Sequence, residues 1–146
     1  MARYFLDVEY NGFCGDLISL ALVPEAEGAA PFYAALACPN PTPWVAAHVL
    51  PVLHVEHSAR AEMAARFADY LGDDPDPVLV ADWPEDIAHA AMLMVVAPGR
   101  RTALDRITFK MLDPIGFDAA TLSALPHNAL QDAAALRAFV LGQESR

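Results

Sequence analysis

Two acidic residues with the spacing of a metal-binding pair lie near the start of the chain. Asp7 and Glu9 are separated by one residue within residues 3–9, a run rich in residues that favour β-strands. Residues at i and i+2 of a strand project from the same face, so the two carboxylates would be neighbours. Neighbouring carboxylates repel unless one is protonated or a cation lies between them. The pair predicts a divalent cation such as Mg²⁺ or Mn²⁺, and an exposed edge strand explains it equally well.

A third acid is expected at the end of a later strand. Residues 78–81 form a short apolar run typical of a strand buried on both faces, and Pro84 suits the first turn of the helix that follows. Asp86 would then lie in that first turn, where loops at strand ends commonly place functional side chains. Asp82 competes for the same role. Alternatively, Asp86 only places a negative charge at the positive, amino-terminal end of the helix dipole, and this explanation is adequate for an isolated acid in a first turn.

A histidine and an acid lie around the predicted start of the last helix. His127 and Asp132 are five residues apart, so they can flank one cleft without stacking on a single helical stripe. A base and a metal ligand could therefore share one site. On spacing alone, a histidine near a helix start followed by a solvent-facing aspartate is the simpler interpretation.

The rest of the sequence predicts the elements that would position these residues. Ser58 is expected to cap the second of four helices, and Gly72 to end it. The first three strands suggest an antiparallel meander, and the later strands are expected beside it in a mixed sheet. The predicted strands cover residues 3–9, 17–23, 31–36, 78–81 and 107–112. The predicted helices cover residues 44–53, 59–71, 85–96 and 128–141, and residues 113–126 are expected to be a loop or short turns.

Composition indicates one domain with its own core. The 146 residues are 55% hydrophobic, which is ample for a single buried core spanning residues 1–146. The chain runs directly into a strand-like segment rather than a long apolar one, which predicts a cytoplasmic protein with no membrane association. Cys14 and Cys38 are too few for a disulfide framework and are expected to be free thiols.

The net charge of the chain argues against a nucleic-acid partner. A net charge of −10 would ordinarily repel phosphates, but two bound cations would cancel about four charges locally and present a positive centre. Four of the nine basic residues also lie within eleven positions. This basic cluster, which either contacts a polyanion or is a solvated loop, consists of Arg100, Arg101, Arg106 and Lys110.

The acids and the histidine together resemble a known family. An Asp-x-Glu pair on a first strand, an acid after a later strand and His-x-x-x-x-Asp at a final helix resemble the DEDDh group of 3'-5' exonucleases, which have an RNase H-like fold. Residues 5–20 and 126–133 resemble the opening and closing motifs of a small bacterial and phage exoribonuclease branch. Residues 81–87 resemble its middle motif and residues 43–51 its linker helix, so the resemblance covers most of the chain.

The resemblance implies a fold, a reaction and a set of ligands. It implies a mixed five-stranded RNase H-like sheet flanked by helices, and release of 5'-mononucleotides from single-stranded RNA. The four carboxylates would hold two Mg²⁺ or Mn²⁺ ions, with Asp7 bridging them, and His127 would deprotonate or orient the attacking water. A single-stranded DNA exonuclease, a short-oligonucleotide hydrolase and a non-catalytic nucleic-acid-binding module remain alternatives. The four implied ligands are Asp7, Glu9, Asp86 and Asp132.

Substrate contacts and a partner chain are also expected. The sequence departs from larger relatives directly after the acidic pair, where Tyr10, Asn11 and Gly12 replace a small hydroxylated or glycine-rich pattern. These three residues, with Phe13 and Trp83, are candidate substrate contacts, because aromatic rings can stack on bases, although such rings more often pack in the protein. The resemblance further implies a homodimer in which one subunit contributes basic residues to the groove of its neighbour.

Overall fold

The computed structural model describes residues 2–146 and contains a mixed sheet covered by helices. The strands are β1 Arg3–Tyr10, β2 Leu17–Pro24, β3 Phe32–Leu36, β4 His57–Ser58, β5 Val78–Ala81, β6 Val95–Ala97, β7 Arg100–Arg101 and β8 Thr108–Met111. The helices are α1 Pro43–His48, α2 Arg60–Leu71, α3 Pro84–Leu93, α4 Ala119–Leu122 and α5 Ala129–Glu144, and a 3₁₀ turn covers Leu50–Val52.

The six strands of the main sheet lie in the order β4-β3-β2-β1-β5-β8. Strands β1, β2 and β3 form an antiparallel meander, whereas β5 runs parallel to β1 and β8 runs parallel to β5. All four residues of β5 are buried, as their unbroken apolar run predicts. The α/β class and the mixed sheet expected from the sequence are therefore confirmed.

The two faces of β1 meet different layers of the core. Leu6 and Val8 pack on the side that holds the apolar residues of α2 and α3, while Phe5 packs on the opposite side against Leu136 of α5. Side chains alternate along a strand, so the Phe5 face continues through residues 7 and 9. The acidic pair therefore lies on the α5 face of the sheet.

Small residues let the first turns of α5 approach the sheet closely. Ala21 of β2, Ala129 and Ala133 are fully buried and pack together. With only a methyl group at each position, the helix axis can lie nearer the strands than larger side chains would allow. This contact brings the amino-terminal turn of α5 beside the acidic end of β1.

Three predicted features of the region between β3 and β5 need correction. The predicted sheet had five strands, but residues 57 and 58 add β4 by pairing with β3. Ser58 was expected to cap α2, but it lies in β4, and the cap position is Ala59, which has no side-chain acceptor. The predicted helix over residues 44–53 ends at His48, because Pro51 cannot donate a helical hydrogen bond and the chain continues as a 3₁₀ turn.

The predicted helix over residues 85–96 is also too long. Helix α3 ends at Leu93, and Val95–Ala97 form β6, which pairs with β7 in a hairpin. Adjacent β-branched Val95 and Val96 favour a strand, and Gly99 adopts a φ of 68° in the turn. Within the predicted loop over residues 113–126, the short helix α4 is capped by Asp118.

Two further sequence expectations concern the cysteines and membrane-spanning segments. Cys14 and Cys38 are both free cysteines, as predicted. Among residues 2–146, none of the helices combines the length and the apolar character that a membrane crossing requires.

Candidate metal centre

The acidic end of β1 is the centre of the candidate site. Asp7 and Glu9 lie on the α5 face, where each pairs across the sheet with a small residue of β2, Ala21 and Ser19 respectively. The small neighbours leave room above the strand for the carboxylates. Among residues 2–146, the buried Oδ2 atom of Asp7 has no hydrogen-bond partner.

The structure brings Asp86 to the same strand. Because β5 ends at Ala81, it pairs with β1 only as far as Phe5, and the N–H of Val8 is left without a strand partner on that side. That N–H donates to Oδ1 of Asp86, 3.4 Å away, and the Asp86 side chain is only 3% exposed. Asp82 is partly buried and lines the same cleft.

The amino-terminal turn of α5 supplies the remaining predicted residues. Asp132 is 5% exposed, and its Oδ2 accepts the backbone N–H of His127 at 3.1 Å. His127 adopts a left-handed φ of 70°, which folds the chain back so that its N–H meets the first turn of the helix. One ligand atom from each of His127, Asp132 and Glu9 lies within 4.8 Å of the other two.

The carboxylates of this cluster hold protons more tightly than isolated ones. Burial, followed by the charges of Asp86 and Glu9, raises the pKa of Asp7 well above its ordinary value. Burial and the charge of Asp132 raise the pKa of Glu9 to about 9, and burial and the charge of Asp82 raise the pKa of Asp86 to about 8. Burial also raises the pKa of Asp132. Without a cation, ionising all four groups at neutral pH is therefore unfavourable.

The donor set fits divalent cations. Four carboxylates from three separate elements converge, and two of their buried oxygens, Asp7 Oδ2 and Asp132 Oδ1, have no hydrogen-bond partner among residues 2–146. A buried acceptor left without a partner is costly, and a bound cation would satisfy it. Carboxylate oxygens are the ligands that Mg²⁺ and Mn²⁺ prefer.

A cleft of about 490 Å³ opens beside the carboxylates. Four of the five predicted substrate contacts line it: Tyr10, Gly12, Phe13 and Trp83. The fifth, Asn11, does not line the cleft, because its side chain accepts from the N–H of Thr42 and donates to the carbonyl of Asn40. Asn11 thus fastens the loop after β1 to the segment that precedes α1.

A tight turn projects one aromatic side chain over the cleft. The loop between β1 and β2 closes so sharply that a Cβ atom on Gly15 would lie 1.9 Å from the carbonyl oxygen of Asn11. Only glycine permits this approach. The turn leaves the Phe13 side chain 94% exposed at the rim, so this ring has little role in packing.

Two residues that sequence reasoning did not single out also contribute to the cleft. Trp44 of α1 lines it, and its ring lies edge-on to that of His127 with the centroids 4.9 Å apart. Glu85 accepts hydrogen bonds from the Tyr10 hydroxyl and from Nε1 of Trp83, so one carboxylate holds both aromatic rings. The sequence offered one signal for Trp44, a tryptophan directly after Pro43 at the start of the helix predicted over residues 44–53.

A buried asparagine holds the His127 turn in place. Oδ1 of Asn128 accepts the Gln131 N–H at 3.1 Å as the cap of α5, and Nδ2 donates to the Val52 carbonyl at 2.8 Å and to the Tyr33 hydroxyl at 3.3 Å. These bonds connect the start of α5 to the segment after α1. Asn128 therefore fixes the relative placement of the two elements that carry His127 and Trp44.

We expect Asn128→Ala to destabilise the protein by about 1–3 kcal/mol, because it removes a helix cap and the hydrogen bonds to the partly buried Val52 carbonyl and Tyr33 hydroxyl. Chemical denaturation measures the change in the free energy of unfolding. Asn128→Ser is the matched control, since serine keeps the capping oxygen and loses only the amide donor, and it should recover part of the loss. An alanine variant as stable as the wild type would show that these bonds have no net effect.

The basic cluster does not reach the cleft of its own chain. Arg100 and Arg101 form β7 beyond the carboxyl end of α3, whereas the amino end of that helix lies at the cleft. Ten helical residues separate the two ends by about 15 Å. Lys110 lies on β8 at the edge of the sheet. Any contact of this cluster with a ligand in the cleft would need a second chain or a long ligand.

No protein-family model and no curated protein matches the chain. The chemical role of the cleft is therefore inferred from its own residues.

Proposed function

We propose that the protein is a metal-dependent 3'-5' exoribonuclease with an RNase H-like fold that releases 5'-mononucleotides from single-stranded RNA. The observation that carries the proposal is the clustering of carboxylates around Glu9, where Asp7 and Asp86 line the cleft and Asp132 and the imidazole of His127 lie beside Glu9, with two buried oxygens unpaired among residues 2–146. The strand arrangement is consistent with the fold, because an antiparallel meander continues into two parallel strands. Structural ion pairs do not explain these acids, since the two salt bridges of the described chain both involve Arg3, with Glu25 and Glu144.

Asp7, Glu9, Asp86 and Asp132 would hold two divalent ions. When bound, such ions stabilise the attacking and leaving oxygens of an in-line phosphoryl displacement. Asp7 is suited to the bridging position, because it shares the α5 face of β1 with Glu9 and directly precedes Val8, whose N–H donates to Asp86. Asp86 is better placed than Asp82, because its carboxylate lies against β1 at Val8.

His127 would act as the base that takes a proton from the attacking water. It lies beside Glu9 and Asp132, and Trp44 restricts its ring from one side. A neutral ring nitrogen can accept a proton and release it again, as a general base must do in each cycle. The proton would pass from the water to a ring nitrogen and then to solvent.

The aromatic rim would recognise unpaired bases. Phe13, Trp44 and Trp83 line the cleft and are each at least half exposed, so their faces are available for stacking. Stacking on bases tolerates any sequence and requires single-stranded nucleic acid. The acidic surface elsewhere on the chain disfavours duplex binding, which depends on many phosphate contacts.

A homodimer is part of the proposal. The exposed Arg100 and Arg101 lie far from their own cleft, and exposed Met92, Val95 and Val96 provide apolar surface next to them. A second subunit could bury that surface and receive the two arginines at its own groove. A monomer across the micromolar range in light scattering would argue against this arrangement.

Digestion of matched RNA and DNA oligonucleotides with Mn²⁺, analysed by mass, tests the function. We expect successive loss of 5'-mononucleotides from the 3' end of RNA. Faster loss from DNA, or cleavage limited to two- and three-residue substrates, would favour the alternative enzymes. The absence of products with any divalent ion at protein excess would reject the enzyme and favour a binding module.

We expect His127→Gln to slow hydrolysis by about 10²–10⁴-fold, the usual contribution of a general base. Mn²⁺ affinity should change little, because the carboxylates remain. Single-turnover digestion with saturating Mn²⁺ measures the first effect, and calorimetry measures the second. A variant that loses Mn²⁺ binding would identify His127 as a ligand rather than the base.

A further inference from the structure

One part of the carboxylate cluster, beside the cleft at Glu9, has a donor set different from the rest. Glu9, His127 and Asp132 each offer a ligand atom, and the three atoms lie within 4.8 Å of one another. This set combines two carboxylate oxygens with one imidazole nitrogen. Asp7 and Asp86, which complete the cluster, offer oxygen only.

Metal ions distinguish between these two kinds of site. Mg²⁺ prefers oxygen ligands in octahedral geometry and keeps several of its waters. Zn²⁺ and similar borderline ions bind imidazole well, and three protein ligands with one open position are a common arrangement for zinc. The nitrogen of His127 would therefore favour a borderline ion at this corner.

An unpaired oxygen is already present there. Asp132 is 5% exposed, and its buried Oδ1 has no hydrogen-bond partner among residues 2–146. Because the His127 N–H holds Oδ2, Oδ1 is the oxygen left free to meet a cation. The backbone contact also holds the aspartate beside the histidine whose ring would supply the nitrogen.

The three donors need only a small movement to bind. Donors about 2 Å from a tetrahedral ion lie about 3.3 Å from one another, so atoms within 4.8 Å must approach by no more than about 1.5 Å. Rotation of the Glu9 and His127 side chains can supply this distance. The backbone of His127, held by its bond to Asp132, need not move.

We propose that Glu9, His127 and Asp132 form an inhibitory site for a borderline transition-metal ion of the Zn²⁺ class. Coordination would occupy a ring nitrogen of His127 and so remove the base. Zn²⁺ binding at these three residues does not depend on the proposed function, whereas the inhibition of RNA hydrolysis rests on it. Because Glu9 and Asp132 also belong to the proposed two-metal centre, Zn²⁺ would displace one of its ions and would inhibit hydrolysis until an excess of Mg²⁺ or Mn²⁺ outcompetes it.

Calorimetry with ZnCl₂ and MnCl₂, on the wild type and two variants, tests the binding site. We expect His127→Gln to weaken Zn²⁺ binding at least tenfold and to leave Mn²⁺ binding nearly unchanged. His48→Gln is the matched control, because the ring of His48 lies 6.4 Å from that of His127 and is outside the donor set. Equal Zn²⁺ affinity in His127→Gln and the wild type, or an equal loss in His48→Gln, would overturn the proposal.

Co²⁺ provides a second readout without activity. A nitrogen-containing site should give Co²⁺ a visible absorption band, and Co²⁺ at His127 should quench the fluorescence of Trp44, whose ring is 4.9 Å away. Trp44→Phe should remove that quenching and keep the band, while His127→Gln should weaken both. A band unchanged in His127→Gln would place the ion elsewhere.

The two proposals can fail separately. Zn²⁺ binding that depends on His127, in a protein that does not digest RNA with Mn²⁺, would sustain the metal site and reject the nuclease. Digestion that continues at Zn²⁺ concentrations that saturate the His127-dependent site would sustain the nuclease and reject the inhibitory site.

Discussion

Asp7→Asn is expected to abolish metal-dependent hydrolysis and to stabilise the metal-free protein. The bridging ligand contributes several kcal/mol to the transition state through the ions, so turnover should fall by about 10³-fold or more. The same carboxylate is buried among three other acids and has an unpaired oxygen among residues 2–146. Replacing it with a neutral amide of the same shape should raise the free energy of unfolding by about 1–3 kcal/mol.

Digestion of a 5'-labelled RNA and chemical denaturation in EDTA measure the two effects. Asp69→Asn is the matched control, because Asp69 is exposed on α2, and neither quantity should change appreciably. Retained activity in Asp7→Asn would reject the metal-bridging role. Lost activity together with lost stability would mean that the variant is merely misfolded.

The stability of the metal-free protein should fall as the pH rises from about 4 to about 9. Burial and neighbouring charges raise the pKa of Glu9 to about 9 and that of Asp86 to about 8, whereas both groups have ordinary values near 4 when unfolded. The folded state then binds more protons than the unfolded state across this window, so stability decreases with pH. Protons also compete with cations for the same oxygens.

Mn²⁺ should therefore stabilise the protein more at pH 8.5 than at pH 5.5. At a hundred times its dissociation constant an ion adds about 2.7 kcal/mol, which corresponds to roughly 5–10 °C in melting temperature. Thermal unfolding with Mn²⁺ or with EDTA at the two pH values measures the difference. A Mn²⁺ effect that is equal at both pH values, or larger at pH 5.5, would show that these carboxylates are not the ligands.

The local elements that carry the acids follow from the sequence pattern. Alternation along residues 3–9 places Asp7 and Glu9 on one face, and the apolar run 78–81 ends where the chain must turn toward Asp86. These are short-range consequences of strand geometry and turn chemistry. For that reason each strand boundary of the meander was predicted to within one residue.

Contacts between residues distant in the sequence could not be predicted from such local patterns. Strand β4 has two residues, too few for a periodic pattern, and it exists only because β3 presents an open edge. The contact between Trp44 and His127 joins residues 83 positions apart, and it depends on the Asn128 bonds that hold α5 against the segment after α1. Such proximity arises from packing rather than from local preference.

Anomalous diffraction at the manganese edge, from crystals soaked in MnCl₂, tests the two-metal centre most directly. We predict two peaks on either side of Asp7, one nearer Asp86 and one nearer Glu9 and Asp132. Soaked crystals of Asp7→Asn should lose at least one peak. An absence of peaks at Asp7 in the wild type, with the ion bound elsewhere on the surface, would contradict the account.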